Sequence, residues 1–315
     1  MPKQTALSTL GGAKETTYGT PVAAAFWLPH RNPSIADDYT VLRDEGFRGS
    51  PAGPFGAYQG VVTSHVEFEG DFYAVDTPHL LMGILGSDSV TGAADPYTHT
   101  LKLTAAQPPS YTYTDEVADT VFRQYPGQMV YDLELRFTPE EGLTYAAKLM
   151  GLRSQTTSAP TPSYDAAPFY LGWQAAVSLG GSANAKLTGA SVHLTREAAP
   201  VFGAQNLQSP SLIFLGPLRV SGSCSFYWDD DTELLRYLNN TQGAFVFTFD
   251  RGVTPARQLV LTMTQAAFEK GAVNRGKIFV ETDVDFEAIA NATDGSAAVL
   301  SPVQVVAKNG RSAAY

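Results

Sequence analysis

The sequence predicts a mainly β protein built from two tandem β-sandwich or barrel modules, each flanked by one short α-helix. Three observations predict it. Gly (28), Pro (20) and Tyr (15) are plentiful while only 17% of the 315 residues are charged, a composition suited to short strands joined by many turns. Apolar and polar residues alternate over several stretches, the period of a half-buried strand. And one order, strand, helix, then several strands, occurs twice, with Val62–Phe68 laid on Val220–Phe226 at an offset of 158 residues.

The elements follow along the chain. The segment from Arg31 to Gly60 mixes charges, Gly, Pro and aromatics and reads as one long irregular loop, too long to be idle in a compact domain. "VTSHVEFEG" places Val62, Ser64, Val66 and Phe68 on one face and Thr63, His65, Glu67 and Glu69 on the other. A helix is expected over about 76–86, with Asp76-Thr77 supplying an N-cap oxygen for orphan backbone N–H groups. Leu80, Leu81, Ile84 and Leu85 form its buried stripe. In "VYDLELRF", Tyr131, Leu133, Leu135 and Phe137 share a face opposite Asp132, Glu134 and Arg136. Residues 154–167 are polar, Pro-bearing and aperiodic, and read as a linker between modules 1–153 and 168–315.

In the second module Val220, Gly222, Cys224 and Phe226 match Val62, Ser64, Val66 and Phe68. The second helix is expected over about 231–240, capped by Asp231-Thr232 and burying Leu234, Leu235 and Leu238. Downstream, "YTHTLKL" aligns with "AFVFTF", "PSYTYTD" with "RQLVLTMT", and "QMVYDLELRF" with "KIFVETDVDF". In "ETDVDFEAI", Val284, Phe286 and Ala288 oppose Asp283, Asp285 and Glu287. The counterpart of the long loop, from Glu197, reads as shorter and less charged.

Net charge is 21 − 31 = −10. Residues 1–153 hold 10 bases and 18 acids, a balance of −8; residues 154–315 hold 11 and 13, a balance of −2. That excludes a basic nucleic-acid footprint and tight phosphate binding, which needs Lys and Arg to displace counterions. The single Cys224 excludes an internal disulfide framework and reads as a small buried hydrophobe. No apolar run is long enough for a signal peptide or a membrane span, and the N-x-T triplets at Asn239 and Asn291 carry little weight without one.

No catalytic, cofactor or metal site is expected. "GAVNRGKI" has P-loop spacing up to Lys277, but Ile278 stands where a magnesium-binding hydroxyl is required and a strand follows, so it reads as a hairpin turn. Asp229, Asp230 and Asp231 lack the calcium-loop pattern and suit a helix N-terminus. His30, His65, His79, His99 and His193 are scattered, without the i, i+4 pairing of a helical zinc motif. Glu67 and Glu69 have the pattern of any solvated strand face as much as of a glycosidase pair. There is no G-x-S-x-G nucleophile elbow.

Taken in order, "GGAKETTYGTPVAAAFWLP", "FRGSPAG", "GVVTSHVEFEGD", "LLMGILGSDSVTG", "PGQMVYDLELRFTPEEGLTYAAKLMG", "VSLGGSANAKLTGASVHLTRE" and "GPLRVSGSCSFYWDDDTELLRYLNNTQG" resemble the tail tube (major tail) proteins of long-flexible-tailed bacteriophages, in a two-module version. The resemblance implies the tail-tube β fold in each module. It implies a structural virion protein of the tail, made in the host bacterial cytoplasm, whose copies form stacked rings around a channel that conducts viral DNA. It further implies self-association as a trimeric pseudo-hexamer, or alternatively a hexamer, with the tape measure protein and the tail terminator and tip proteins as partners. DNA would pass an acidic lumen without tight binding. Arg43, Asp44, Arg48 and Phe55 are the candidate contact with the neighbouring ring. A carbohydrate-binding or adhesion module of the tail tip is the alternative; it needs an aromatic platform, and Trp27, Trp173 and Trp228 are dispersed.

Overall fold

The computed structural model describes residues 4–118, 121–167, 169–296 and 298–315. Its elements begin with β1 (Leu10–Lys14), β2 (Phe26–Trp27), β3 (Arg31–Asp44), β4 (Gly56–Asp71), α1 (Pro78–Leu85), β5 (Gly86–Thr91), β6 (Tyr97–Leu103), β7 (Tyr111–Ala118), β8 (Val121–Phe137), β9 (Thr144–Gly151) and β10 (Gln155–Thr157). They continue with β11 (Ala175–Leu179), β12 (Ser182–Ala183), β13 (Leu187–Val201), β14 (Leu212–Tyr227), α2 (Thr232–Leu238), β15 (Gly243–Asp250), β16 (Gln258–Asn274), β17 (Glu281–Ala288) and β18 (Gln304–Asn309). The protein is mainly β and antiparallel, as its composition and alternation predict.

The same pairing order occurs twice. In the first half it runs β3–β4–β9–β8. In the second it runs β13–β14–β17–β16. β8 and β16 are long enough to serve two sheets each. The start of β8 pairs with β7, which pairs with β1; the start of β16 pairs with β15, which pairs with β11. Each long strand thereby bends over the core of its own half. The halves are also joined. β13 pairs with β14 on one side and β8 on the other, and β18 bridges β16 and β6. β10 lies within the expected linker and pairs with β8. One hydrophobic core runs through both halves, from Val66, Phe68 and Leu133 to Val220, Phe247 and Phe286. Cys224 is buried within it, and burial pushes its thiol pKa well up.

Several expectations need correction. The segment Arg31–Gly60 is not an irregular loop. It is most of a β-hairpin, β3–β4, with only residues 45–55 outside the strands. Bulges at Arg31/Ser34 and Tyr39/Val41 break its alternation, and its outer part is exposed on both faces, so no hydrophobic period marks it. Its counterpart is a hairpin of matching length, β13–β14. Neither helix has a side-chain N-cap: Thr77 precedes α1 and Asp231 precedes α2, and neither side chain bonds back to its helix. Thr77 Oγ1 instead accepts the Tyr73 N–H at 2.9 Å, and Asp230 Oδ1 accepts the Thr232 N–H at 2.9 Å. Leu80, Leu81, Ile84 and Leu85 are buried as expected, but Leu235 is 40% and Leu238 63% exposed.

Tyr131 leaves the core face because a bulge lies between Val130 and Asp132, and Val130 takes its place in the core. The strands after the helices align one strand later than the sequence suggests. β15 occupies the place of β7, not β6, and β17 that of β9, because β5–β6 is an additional hairpin of the first half. "GAVNRGKI" spans the end of β16 and a turn into β17, as expected of a hairpin.

Candidate assembly surfaces

Both long hairpins project as arms. The tip of β3–β4 brings three of the four candidate residues together, Asp44, Arg48 and Phe55. Asp44 forms an ion pair with Arg48, whose guanidinium lies 5.0 Å from the Phe55 ring centre. The Phe55 N–H donates to the Asp44 carbonyl at 2.8 Å and closes the tip. Arg43 takes no part in this knot and stands on the exposed edge of β3 beside the exposed Val41 and Leu42. Phe47, in the tip, is fully exposed.

The tip of β13–β14 is docked on the first half of the same chain. Ile213 and Leu215 are buried with Met129 against Tyr18, Tyr131, Met150 and Ala198. The Ile213 N–H donates to Tyr18 Oη at 2.9 Å, and burial pushes the Tyr18 hydroxyl pKa up to about 12. Leu215 and Gln107 exchange two hydrogen bonds, 2.9 and 3.1 Å. The loop bearing Tyr18 is organised by Glu15, which is 7% exposed and accepts hydrogen bonds from Gly19 N, Gly127 N, Ser110 Oγ and Thr112 Oγ1. Such a carboxylate, fully used by donors, is an anchor. Glu15 and Tyr18 lie inside "GGAKETTYG", but nothing in their spacing marks them as a receiving site.

Behind the docked tip, β13 and β8 join in register, Ala190 against Phe137 through Thr195 against Asp132. His193 Nε2 lies 2.9 Å from Asp132 Oδ1 across this junction, a cross-strand acid–imidazole pair. The strands therefore form a continuous series β3–β4–β9–β8–β13–β14–β17–β16. Among the described residues, β3 pairs only with β4, and the last part of β16 only with β17, so the series ends in two open edges.

The face of this series turned away from the core is acidic in both halves. It carries Asp38, Glu67, Glu69, Asp132 and Glu134 from the first half and Glu269, Asp283, Asp285 and Glu287 from the second. Arg31, Lys148, Arg136, Arg219 and Lys270 are the bases among them. Acids outnumber bases about two to one, so the lopsided charge of the sequence is not the charge of this face.

The residues considered for chemistry are dispersed. Glu67 and Glu69 lie on the acidic face, with His65 beside Asp38 at 3.6 Å. Asp229 and Asp230 pair with Lys186 at 3.7 and 2.7 Å ahead of α2. Lys277 pairs with Glu281 at 2.7 Å across the β16–β17 turn. Among the described residues no group of three or more His, Cys, Asp or Glu is set to hold a metal ion. No helix among them is long and apolar enough to cross a membrane. Trp27 is buried while Trp173 is exposed, so the tryptophans make no common platform.

A family model described as that of phage tail tube proteins matches residues 5–297, nearly the whole chain. No curated protein matches it.

Proposed function

The chain belongs to the phage tail tube protein family and is a structural protein of the virion tail; from this we propose that three copies close into a pseudo-hexameric ring and that such rings stack into a tube conducting DNA. Each chain supplies two ring positions, modules 1–153 and 168–315 joined by 154–167. The carrying observation is the β13–β8 junction. β3 and the end of β16 are the open counterparts of β13 and β8, so a second chain can repeat between copies the junction made once inside each. In the same register Thr40 faces Ala272 of the next copy and Asp38 faces Asn274. That brings the exposed Asp38 toward Arg275, which raises the complementarity of the two edges.

A heterologous contact of this kind closes when its rotation allows and otherwise continues as a filament. The acidic face lines the channel. Phosphate is held by cationic contacts that displace counterions, so an acidic wall lets DNA pass without adhering. The tip loop 45–55, with Arg48, Phe55 and the exposed Phe47, serves the stacking contact with the neighbouring ring. The tape measure protein and the terminator and tip proteins are the remaining partners, and the tail is assembled from chains made in the host cytoplasm.

Negative-stain electron microscopy of the purified chain tests this reading. Tubes whose end views show three-fold or pseudo-six-fold symmetry are expected. Closed oligomers that never stack would overturn it.

A further inference from the structure

The two arms are equivalent in register but not in chemistry. Tyr39, Asp37 and Ile35 pair with Val62, Ser64 and Val66 as Leu194, Val192 and Ala190 pair with Val220, Gly222 and Cys224. Beyond a bulge in each arm, Arg43 pairs with Ala57 and Ala198 with Leu215. Arg43 therefore stands where Ala198 does, and Phe55 where Ile213 does.

The receiving surfaces can be matched in the same way. Leu149 lies against Val66 and Val284 against Cys224, which sets Met150 equivalent to Asp285. Met150 pairs with Met129; Asp285 pairs with Lys270, beside a bulge that holds Glu269. Inside the chain, then, an arm carrying Ala198 and Ile213 meets two methionines. At the open end the corresponding positions hold Glu269, Lys270, Asp285 and Glu287, and the arm to be received carries Arg43.

We propose that Arg43 of one copy is held by Glu269, Asp285 and Glu287 of the next, so that the junction between chains is a salt-sensitive ionic latch where the junction within the chain is an apolar one. The proposal rests on the ring reading above and names its lateral contact. The receiving acids lack sufficient counter-charge in the single chain. Glu269 stands beside Glu287, and that carboxyl neighbour first, then desolvation, raises its carboxyl pKa; the neighbouring Arg219 only partly offsets this. Lys270 reaches Asp285 at 3.8 Å with both side chains largely exposed, a pair too loose to satisfy the site. On the other side, Arg43 forms no ion pair among the described residues, whereas its neighbour Asp44 is already held by Arg48. An ionic latch makes association depend on ionic strength.

The test uses the full chain and measures the lowest protein concentration at which tubes sediment. Arg43→Glu is expected to raise that concentration about tenfold or more, since like charges set against each other at an interface are strongly unfavourable. The exchanged variant, Arg43→Glu with Glu269→Arg, is expected to restore it. Raising NaCl from ~50 to ~500 mM, which shortens the screening length, is expected to weaken assembly of the parent and leave the Arg43→Ala variant less affected. Thermal unfolding of the unassembled Arg43→Glu chain should match the parent, which separates assembly from folding. Tubes forming from Arg43→Glu at the parent's concentration in every salt would overturn the latch and leave the ring reading standing. A parent chain that forms no oligomer at any salt would overturn the ring reading, and the latch with it.

Discussion

The two helices occupy equivalent places after β4 and β14 and share the pattern of paired leucines, yet one is buried and the other is not. Every residue of α1 is buried. Only Glu233 of α2 is. Both lie on the long strands of their own halves, α1 on β8 and α2 on β16. The difference is what covers the outer side. Over α1, Phe26 stacks on His79 with ring centres 3.9 Å apart, and Tyr315 packs edge-on against the same ring at 4.8 Å. Arg196 closes the far end by donating to the Ile84 carbonyl at 3.2 Å. Among the described residues no such cover lies over the Leu235 and Leu238 side chains. A leucine's position on a helix stripe therefore determines which way it points, and the segments that return across it determine whether it is dry.

The largest test of this comparison removes the cover. Tyr315→Ala deletes a buried ring whose hydroxyl donates to the Val75 carbonyl at 2.9 Å and accepts from Asn309 at 2.6 Å. A loss of about 3–5 kcal/mol in denaturant unfolding is expected, the range for a buried aromatic. Leu81→Ala should cost about 2–5 kcal/mol by the same measurement, through the cavity left in a fully buried site. Gly83→Ala probes how closely α1 approaches β8. An added Cβ would lie 2.6 Å from Val130 Cγ2, so a destabilisation of about 1–3 kcal/mol is expected where a glycine-to-alanine change in an exposed helix would stabilise.

His79 sharpens the comparison through pH. Both its ring nitrogens are buried without a hydrogen-bond partner among the described residues, and burial holds its pKa well below 6.5. The unfolded chain therefore takes up the proton first, and the stability associated with neutral His79 is lost as pH falls below 6.5. Asp76 acts in the opposite sense. Burial, then the charge of Asp165, raises it from 3.8 to about 6, so its contribution declines as pH rises across that interval. Thermal unfolding from pH 7 to 5 should show His79→Phe losing less stability than the parent. An equal loss would mean that other groups control acid sensitivity. The smallest effect is expected in the other helix: Leu238→Ala should change unfolding free energy by less than about 0.5 kcal/mol, as at ordinary surface positions.

Legibility followed the hydrophobic period. Val62 to Phe68, Leu133 to Phe137 and Val284 to Ala288 each have one face on the core and one face wet, and all were readable because a half-buried strand must alternate. The outer half of the β3–β4 arm was not readable, since a strand exposed on both sides carries no alternation. For the site, the family resemblance made Arg43, Asp44, Arg48 and Phe55 candidates, and the fold clusters Asp44, Arg48 and Phe55 on one tip with Arg43 on the adjoining strand. Their equivalence to Ala198 and Ile213, and the surface that receives the latter pair, depended on strand register.

By itself, then, the sequence determined the fold class, the doubling of the strand–helix order, the buried identity of Cys224 and the absence of a basic footprint, because alternation, turn residues and charge are local properties. The tertiary structure alone decided that the halves share one series of strands, that its exposed face is acidic from both sides, that α1 is covered and α2 is not, and that the series ends in two open edges. Each of these depends on which segments, distant in the chain, lie beside one another.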